Sequence, residues 1–313
     1  MLRESLLILC LCGCVAFAQK PSEAGIISDN DLYTSPVTDQ YYTNGLEFFY
    51  RYLGNVRSEN VAKKIWEFRV GQYMYNPQSV RAASIDVHDR PFAGYLFAQA
   101  GINTFFKSEN LLKVNMQLGV VGPESGAEKA QKFLHKMLGY HRIHGWEYQI
   151  TTTPAVQLNA FYSHKIFPET YHEKTDFHLQ AEGQLGTIWR SLSVEAMARV
   201  SLKGNLLPLY ESSLYGGHLS GDKDFASRYE LFLYFNPKVQ YMNYDTTIQG
   251  SPFNDKSPVT FPLIPFRFNA EAGIKYGRRR WTYAYVFNYR GKELSNNVIT
   301  GFCYGSLQLG YMF

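Results

Sequence analysis

The stretch LKVNMQLGV, residues 112–120, alternates apolar and polar side chains: Leu112, Val114, Met116, Leu118 and Val120 on one parity, Lys113, Asn115 and Gln117 on the other. A period of two marks an extended strand, because successive side chains point to opposite faces. Runs of about ten residues with one apolar face suit a strand that shows one side to lipid and the other to a polar lumen.

The same pattern recurs along nearly the whole chain. Phe177, Leu179, Ala181 and Leu185 alternate with His178, Gln180, Glu182 and Gln184; Leu192, Val194, Ala196, Ala198 and Val200 with Ser193, Glu195, Arg199 and Ser201. Phe268, Ala270, Ala272, Ile274 and Tyr276 alternate with Arg267, Asn269, Glu271 and Lys275, and Trp281, Tyr283, Tyr285, Phe287 and Tyr289 follow on one parity. The last strand sets Leu307, Leu309, Tyr311 and Phe313 outward, and a terminal aromatic on the lipid-facing parity is typical of outer-membrane barrels. A soluble β-sandwich would also alternate, but with strands nearer ~5 or 6 residues and an outward face rich in Lys, Glu and Thr. Segments near 24–32, 45–53, 64–75, 92–106, 110–121, 150–166, 175–187, 190–203, 228–244, 265–277, 280–291 and 303–313 predict an all-β fold, a transmembrane antiparallel barrel of about 12 strands.

Arg3, the apolar run Leu6 to Val15 and Ala16-Phe17-Ala18 follow the charged, apolar, small-residue order of a secretory signal. Cleavage after Ala18 is expected, giving a signal peptide 1–18 and one barrel domain 19–313; a rival reading takes Leu11-Cys12-Gly13-Cys14 as a lipoprotein box. Cys10, Cys12 and Cys14 lie in that segment, so the exported chain keeps Cys303 alone and forms no internal disulfide. Aromatic residues are 16% of the chain and mean hydropathy is −0.26. No apolar run of the ~18 residues a spanning helix needs follows the signal, so a membrane protein of this composition would be a barrel. A formal charge of +4 is small for 313 residues; it argues only weakly for acidic partners and does not suggest nucleic acid.

One segment breaks the pattern. In SGAEKAQKFLHKML, residues 125–138, Ala130, Phe133, Leu134, Met137 and Leu138 recur at three and four residues, as in an amphipathic helix, and Gly139 supplies a stop. Between two strands, this helix belongs to a loop at one barrel mouth. Glu128, Gln131 and His135 form a polar stripe beside the apolar one, either a solvated face or a general base held on a rigid element. Asn30-Asp31 and Tyr42-Thr43-Asn44-Gly45 carry oxygens that suit a hard cation such as Ca²⁺, although such residues also favour tight turns. In His88-Asp89-Arg90-Pro91-Phe92-Ala93-Gly94-Tyr95 a guanidinium arrives at the barrel rim, suited to a phosphate or carboxylate or to plain interface anchoring.

Taken together these blocks resemble the lipid A 3′-O-deacylase family of Gram-negative outer membranes. The resemblance rests on Asn30-Asp31, Tyr42-Thr43-Asn44-Gly45, Asp89-Arg90-Pro91-Phe92-Ala93-Gly94-Tyr95, Gly119-Val120-Val121-Gly122-Pro123 leading through Gln131 to His135, and Gly145-Trp146-Glu147-Tyr148-Gln149. They occur in the family's order over roughly the first half of the chain; the second half resembles it only as generic barrel strands. The resemblance implies a twelve-stranded barrel with its site near the outer-leaflet mouth, between the wall and a loop helix, and calcium-dependent removal of the 3′-linked acyloxyacyl group of lipid A. It makes His135 the general base toward water, a role that suits a neutral imidazole near pH 7, and Gln131 the residue that orients base or substrate. Asp31, with Asn30 and Thr43, would hold Ca²⁺, and Arg90 would face a lipid A phosphate, with Asp89 and Asn44 on the substrate side. The chain departs from the family where Gly139-Tyr140-His141-Arg142-Ile143-His144 follows the helix, because no acidic residue stands there; Glu128 is the candidate for the missing carboxylate. The gap between Asp31 and Thr43 also looks short.

Three functions compete on the sequence alone. The first is a lipid A esterase working as a monomer in the outer membrane on lipopolysaccharide. The second is a small porin, in which His178, Gln180, Glu182, Glu195, Arg199, Arg267, Glu271 and Lys275 would line a pore, although long side chains leave a barrel of about twelve strands little open lumen. The third is a non-catalytic structural or adhesive barrel using the loops near 76–90, 204–227 and 245–264, whose tips could equally rest on lipopolysaccharide or gate the site.

Overall fold

Twelve antiparallel strands hydrogen-bond in sequence order and close into a barrel, the first strand pairing with the last. The structure is a computed structural model that describes residues 20–34, 41–79, 83–167, 173–221, 229–296 and 298–313. The expected signal segment 1–18 lies outside them. The strands are β1 Ser22–Asn30, β2 Tyr41–Gly54, β3 Val61–Asn76, β4 Ala93–Phe106, β5 Leu111–Val121 and β6 Thr153–Ile166. They continue with β7 Thr175–Gly186, β8 Trp189–Ser201, β9 Tyr229–Asp245, β10 Phe266–Arg278, β11 Trp281–Gly291 and β12 Gly301–Met312. The expected helix is α1, Ala127–Leu138, in the connection between β5 and β6. Closure is completed by Ser22 and Phe313, which exchange backbone bonds of 3.2 and 2.9 Å.

Alternation sorts the side chains as two solvents demand. Leu112, Val114, Met116, Leu118, Phe177, Leu179, Leu192, Val194, Phe268, Leu307 and Phe313 point out, each large and exposed on the wall, where only lipid can cover them. The intervening polar side chains are buried in the lumen, where opposite charges meet. Arg51 pairs with Glu23 at 3.1 Å and with Glu67, Arg69 with Glu47 and Glu67 at 2.8 Å each, and Lys238 with Glu195 at 2.6 Å and Glu182 at 3.2 Å. Charges withdrawn from water persist only when paired in this way.

The connection after β8 is not a second outer loop. Antiparallel strands alternate in direction, so the β5–β6 connection bearing α1 and the chain leaving β8 at 202 lie at opposite ends, the latter with Ser22 and Phe313. The expectation that this loop could gate the α1 site or rest on lipopolysaccharide is thereby corrected for residues 204–221; 222–227 lie outside the described residues. Instead residues 209–219 turn into the lumen. Leu209 and Leu219 join Ile65, Phe105, Leu111 and Met312 in one apolar cluster, Gln180 donates to the Tyr215 hydroxyl at 3.1 Å, and Ser213 N–H donates to Glu230 at 2.6 Å. The lumen around this plug holds cavities of about 450 and 310 Å³, both lined by Arg69, Lys113 and Glu271.

Candidate active site on the outer wall

Four residues form a row across the outside of the barrel near its mouth: Asn30 opposes Asn44, Asn44 opposes Met74, and Met74 opposes Gly94. Their parity is lipid-facing, because two and four residues further down lie Leu46, Phe48, Val70 and Leu96, all exposed apolar side chains. The row therefore stands at the upper border of the apolar belt, and its β1–β2 half is polar.

Helix α1 packs on the other half, against β3 and β4. Gly94 makes this contact possible: a Cβ there would lie 2.2 Å from Ser125 Oγ and 2.3 Å from Ala127 Cβ. Gln72, one step below Met74 on the same face, donates to the Ser125 carbonyl at 2.6 Å. Met74, Phe92, Ala127, Ile143 and Trp146 form an apolar cluster outside the barrel, with Ala130 packed on it. Glycines with positive φ begin and end the helix, Gly126 at 71° and Gly139 at 74°, a conformation open to residues without a Cβ.

The stripe that meets the wall differs from the sequence expectation. Ala127 and Gln131 are the buried helix residues, whereas Phe133, Met137 and Leu138 are 65%, 62% and 57% exposed. The outer wall beneath a membrane helix offers no more apolar cover than lipid does, so the large apolar side chains need not face inward. Gln131 is fixed by the Trp146 indole, which donates to Oε1 at 2.8 Å. His135 is half-buried, and its Nδ1 lies 3.0 Å from the His141 carbonyl oxygen. A carbonyl only accepts, so Nδ1 is the donor and Nε2 of the neutral ring keeps the basic lone pair. Glu128 pairs with Lys132 at 2.6 Å along the exposed helix surface.

At the polar end of the row the chain leaves β1 in a single 3-10 turn, Asp31–Tyr33, which folds down over the outer wall. The Asn30 side chain caps it by accepting from Leu32 N at 2.8 Å. Tyr33 packs over Gly305 and its carbonyl accepts from the Tyr285 hydroxyl at 3.0 Å. Just past the Asn30–Asn44 pair, where the β1–β2 ladder ends, Asp31 opens the 3-10 turn and Thr43 is the extra residue of a β-bulge between Tyr42 and Asn44. Both are 3% exposed, and Thr43 Oγ1 has no hydrogen-bond partner among the described residues. Among those residues no three His, Cys, Asp or Glu side chains gather in a group that could hold a metal. From Asn30 to Met74 is two strand spacings, about 10 Å.

The register thus brings Asn30, Asp31, Thr43 and Asn44 together beside the helix that carries Gln131 and His135. Arg90 is elsewhere. Its guanidinium is fully buried on the lumen side, donating to Thr247 Oγ1 at 3.0 Å, 3.5 Å from Glu293 and 4.5 Å above the Tyr75 ring. The rim arginine expected to face a lipid A phosphate instead has its guanidinium buried among Thr247, Glu293 and Tyr75. Asp89 accepts from Gln78 N at 2.9 Å and its carbonyl accepts from Asn296 at 2.7 Å, so it fastens the loop between β3 and β4. Sequence reasoning gave no role to Trp146, Gln72, Gly94 or the His141 carbonyl; the one available signal was Gly94, a glycine on the lipid-facing parity of a strand.

Comparison with known proteins agrees with this architecture. The sequence profile described as Outer membrane protein LpxR matches residues 6–313. Among solved structures, LpxR from Salmonella typhimurium superposes with a TM-score of 0.74 at 16% identity, covering 93% of this chain and all (100%) of that one. The β domain of a Bordetella autotransporter gives 0.48 at 8% identity, with 93% and 98% of the two chains covered. An outer membrane channel from Pseudomonas putida F1 gives 0.47 at 9%, with 94% and 96% covered. No curated protein matches in sequence. With nearly its whole length matched, the chain belongs to the LpxR family of outer-membrane β-barrel proteins.

Proposed function

We propose that this barrel is a lipid A esterase that removes the 3′-linked acyloxyacyl group, with its site on the outer wall and not in the lumen. The observation that carries the reading is a hydrogen-bonded histidine on a helix clamped to the lipid-facing side of the wall, beside the polar row Asn30–Asn44. Family membership supports work on outer-membrane lipid A in broad terms, and the belt geometry supports a substrate arriving sideways from the leaflet.

In this reading His135 Nε2 takes a proton from a water molecule as its oxygen attacks the ester carbonyl. The protonated ring then returns that proton to the departing sugar hydroxyl, leaving a free fatty acid and an alcohol on lipid A. The His141 carbonyl keeps the ring in the tautomer this needs. Gln131, its Oε1 held by the Trp146 indole, keeps its amide nitrogen as the group for the substrate, and Asn44 supplies a second amide on the wall.

A hard cation fits the polar end of the row in kind: a buried carboxylate at Asp31 and a buried, unpartnered hydroxyl at Thr43, each next in the chain to a member of the Asn30–Asn44 pair. Ca²⁺ accepts such neutral oxygens together with a single carboxylate. When bound it would polarise the ester carbonyl. Glu128, committed to Lys132, is the weakest member of the expected ligand set.

Solute passage through the lumen finds less support, since ion pairs cross it and the segment around Tyr215 plugs it. The deciding experiment is mass spectrometry of lipid A from cells carrying the wild type or His135→Ala, with heat-modifiable gel mobility as the control for folding. Loss of one acyloxyacyl group with the wild type alone supports the esterase; unchanged lipid A with a folded wild type overturns it.

A further inference from the structure

Three large apolar side chains on α1 are left mostly uncovered by protein. Phe133, Met137 and Leu138 are 65%, 62% and 57% exposed, although the helix is otherwise rich in charge. At about 100° per residue, Phe133 and Met137 lie roughly 120° and 80° to one side of the Ala127 line that meets the wall, Leu138 at the helix end roughly 20° to the other side, and His135 roughly 80° to that other side. Exposed Lys129 and Lys136 lie on the outer ridge beyond Phe133. Lys132 is engaged by Glu128.

The position of the helix says what covers this flank. Its first turn rests on Gly94, and Leu96 and Val120, a cross-strand pair two positions lower on the same face, already belong to the apolar wall. Two residues of strand are about 7 Å, and a helix with its side chains has a radius of about 5 Å, so α1 touches the upper edge of the lipid belt. The apolar flank is continuous with a surface that lipid covers, and the cations beside it complement phosphate rather than a second apolar protein face.

We propose that α1 is an interfacial anchor for the anionic outer-leaflet lipid: Phe133 and Met137 sit among acyl chains while Lys129 and Lys136 meet lipid phosphates. This holds the helix at a fixed depth and, resting on the esterase reading, sets His135 level with the acyl esters. The surface commits to lipid and not to a partner protein.

The test uses the full barrel carrying Cys303→Ser, with single nitroxide labels at Phe133→Cys, Met137→Cys, Lys129→Cys and Lys136→Cys, reconstituted in phosphatidylcholine vesicles with or without lipid A. Power saturation should find positions 133 and 137 open to oxygen and closed to a water-soluble nickel chelate, with 129 and 136 the reverse. Position 133 should move deeper when lipid A is added and lose that gain in the Lys129→Gln/Lys136→Gln background. Equal nickel access at 133 and 129 overturns the anchor, and no response to lipid A overturns the phosphate contacts. These readouts do not use catalysis, so a barrel that anchors yet leaves lipid A intact would sink the esterase and spare the anchor.

Discussion

The His135 ring donates through Nδ1 to the carbonyl oxygen of His141, 3.0 Å away, at the point where the chain turns back from helix α1 to the wall. A backbone carbonyl here does what a carboxylate does beside many catalytic histidines: it fixes ring and tautomer. Replacing His135 by Ala or Gln should lower deacylation by about 10²–10⁴-fold, the usual worth of a positioned general base. His141→Ala should leave most of the activity, because the contact is made by backbone. Rates measured on purified barrels in detergent check both; a His141→Ala loss as large as that of His135→Ala would refute the carbonyl's role.

The fold was legible because lipid and lumen impose one period on every strand, and all twelve segments anticipated from alternation appear within a few residues of their structural bounds. The helix was legible for the same kind of reason, but the face it buries was not. Amphipathic periodicity assumes that apolar means inward, and Phe133 and Met137 obey a different solvent. Arg90 illustrates the second limit: the sequence places a guanidinium near the mouth but not on one side of the wall, and that choice depends on Thr247 and Glu293, more than 150 residues away. Sites assembled from backbone carbonyls, as at His141, leave no side-chain signature.

Trp146 ties helix α1 through an indole hydrogen bond to Gln131 Oε1. In Trp146→Phe the ring still fills its place against Phe92, but the buried amide oxygen loses its donor, a cost of about 1–3 kcal/mol. Deacylation should fall roughly five- to 140-fold, since about 1.4 kcal/mol corresponds to tenfold in an equilibrium, while the barrel's melting temperature holds. Kinetics alongside thermal gel-shift separates the two; an unaltered rate would mean that Gln131 needs no fixing.

Gly94 tests whether helix docking matters independently of the helix sequence. Its would-be Cβ collides with Ser125 and Ala127, so Gly94→Val should lift the first turn of α1 from the wall. Trypsin should then cut faster at Lys129, Lys132 and Lys136, and activity should fall at least tenfold, with the barrel still resistant to cold detergent. Wild-type cleavage kinetics in a folded Gly94→Val barrel would show that α1 stays docked by other contacts.

Calcium dependence can be separated from activity by binding itself. If Asp31 and Thr43 form the cation site, calorimetry should give measurable Ca²⁺ binding to the wild type, none to Asp31→Asn and weakened binding to Thr43→Val. Glu128→Gln should bind like the wild type, because that carboxylate is held by Lys132. EDTA would abolish deacylation in the same preparations. Undiminished binding to Asp31→Asn would move the site elsewhere, and a large loss in Glu128→Gln would restore that residue to the ligand set.

Arg90 separates recognition from architecture. A guanidinium that met a substrate phosphate would raise KM when removed and leave the fold alone. The buried position predicts the opposite: Arg90→Ala strips Glu293 of its 3.5 Å contact and Tyr75 of the cation stacked at 4.5 Å. Breaking a buried pair commonly costs about 3–5 kcal/mol, and the nearby Arg267, 3.9 Å from the same carboxylate group, offsets part of that. The variant should therefore melt several degrees lower, with KM for lipid A within about twofold of the wild type at temperatures where it stays folded, a difference worth less than 0.5 kcal/mol by the tenfold-per-1.4 rule. Arg90→Lys should fare little better, because a point charge cannot make the guanidinium's planar contact with Tyr75 while reaching both Thr247 and Glu293. A raised KM with an unchanged melting temperature would return Arg90 to the substrate.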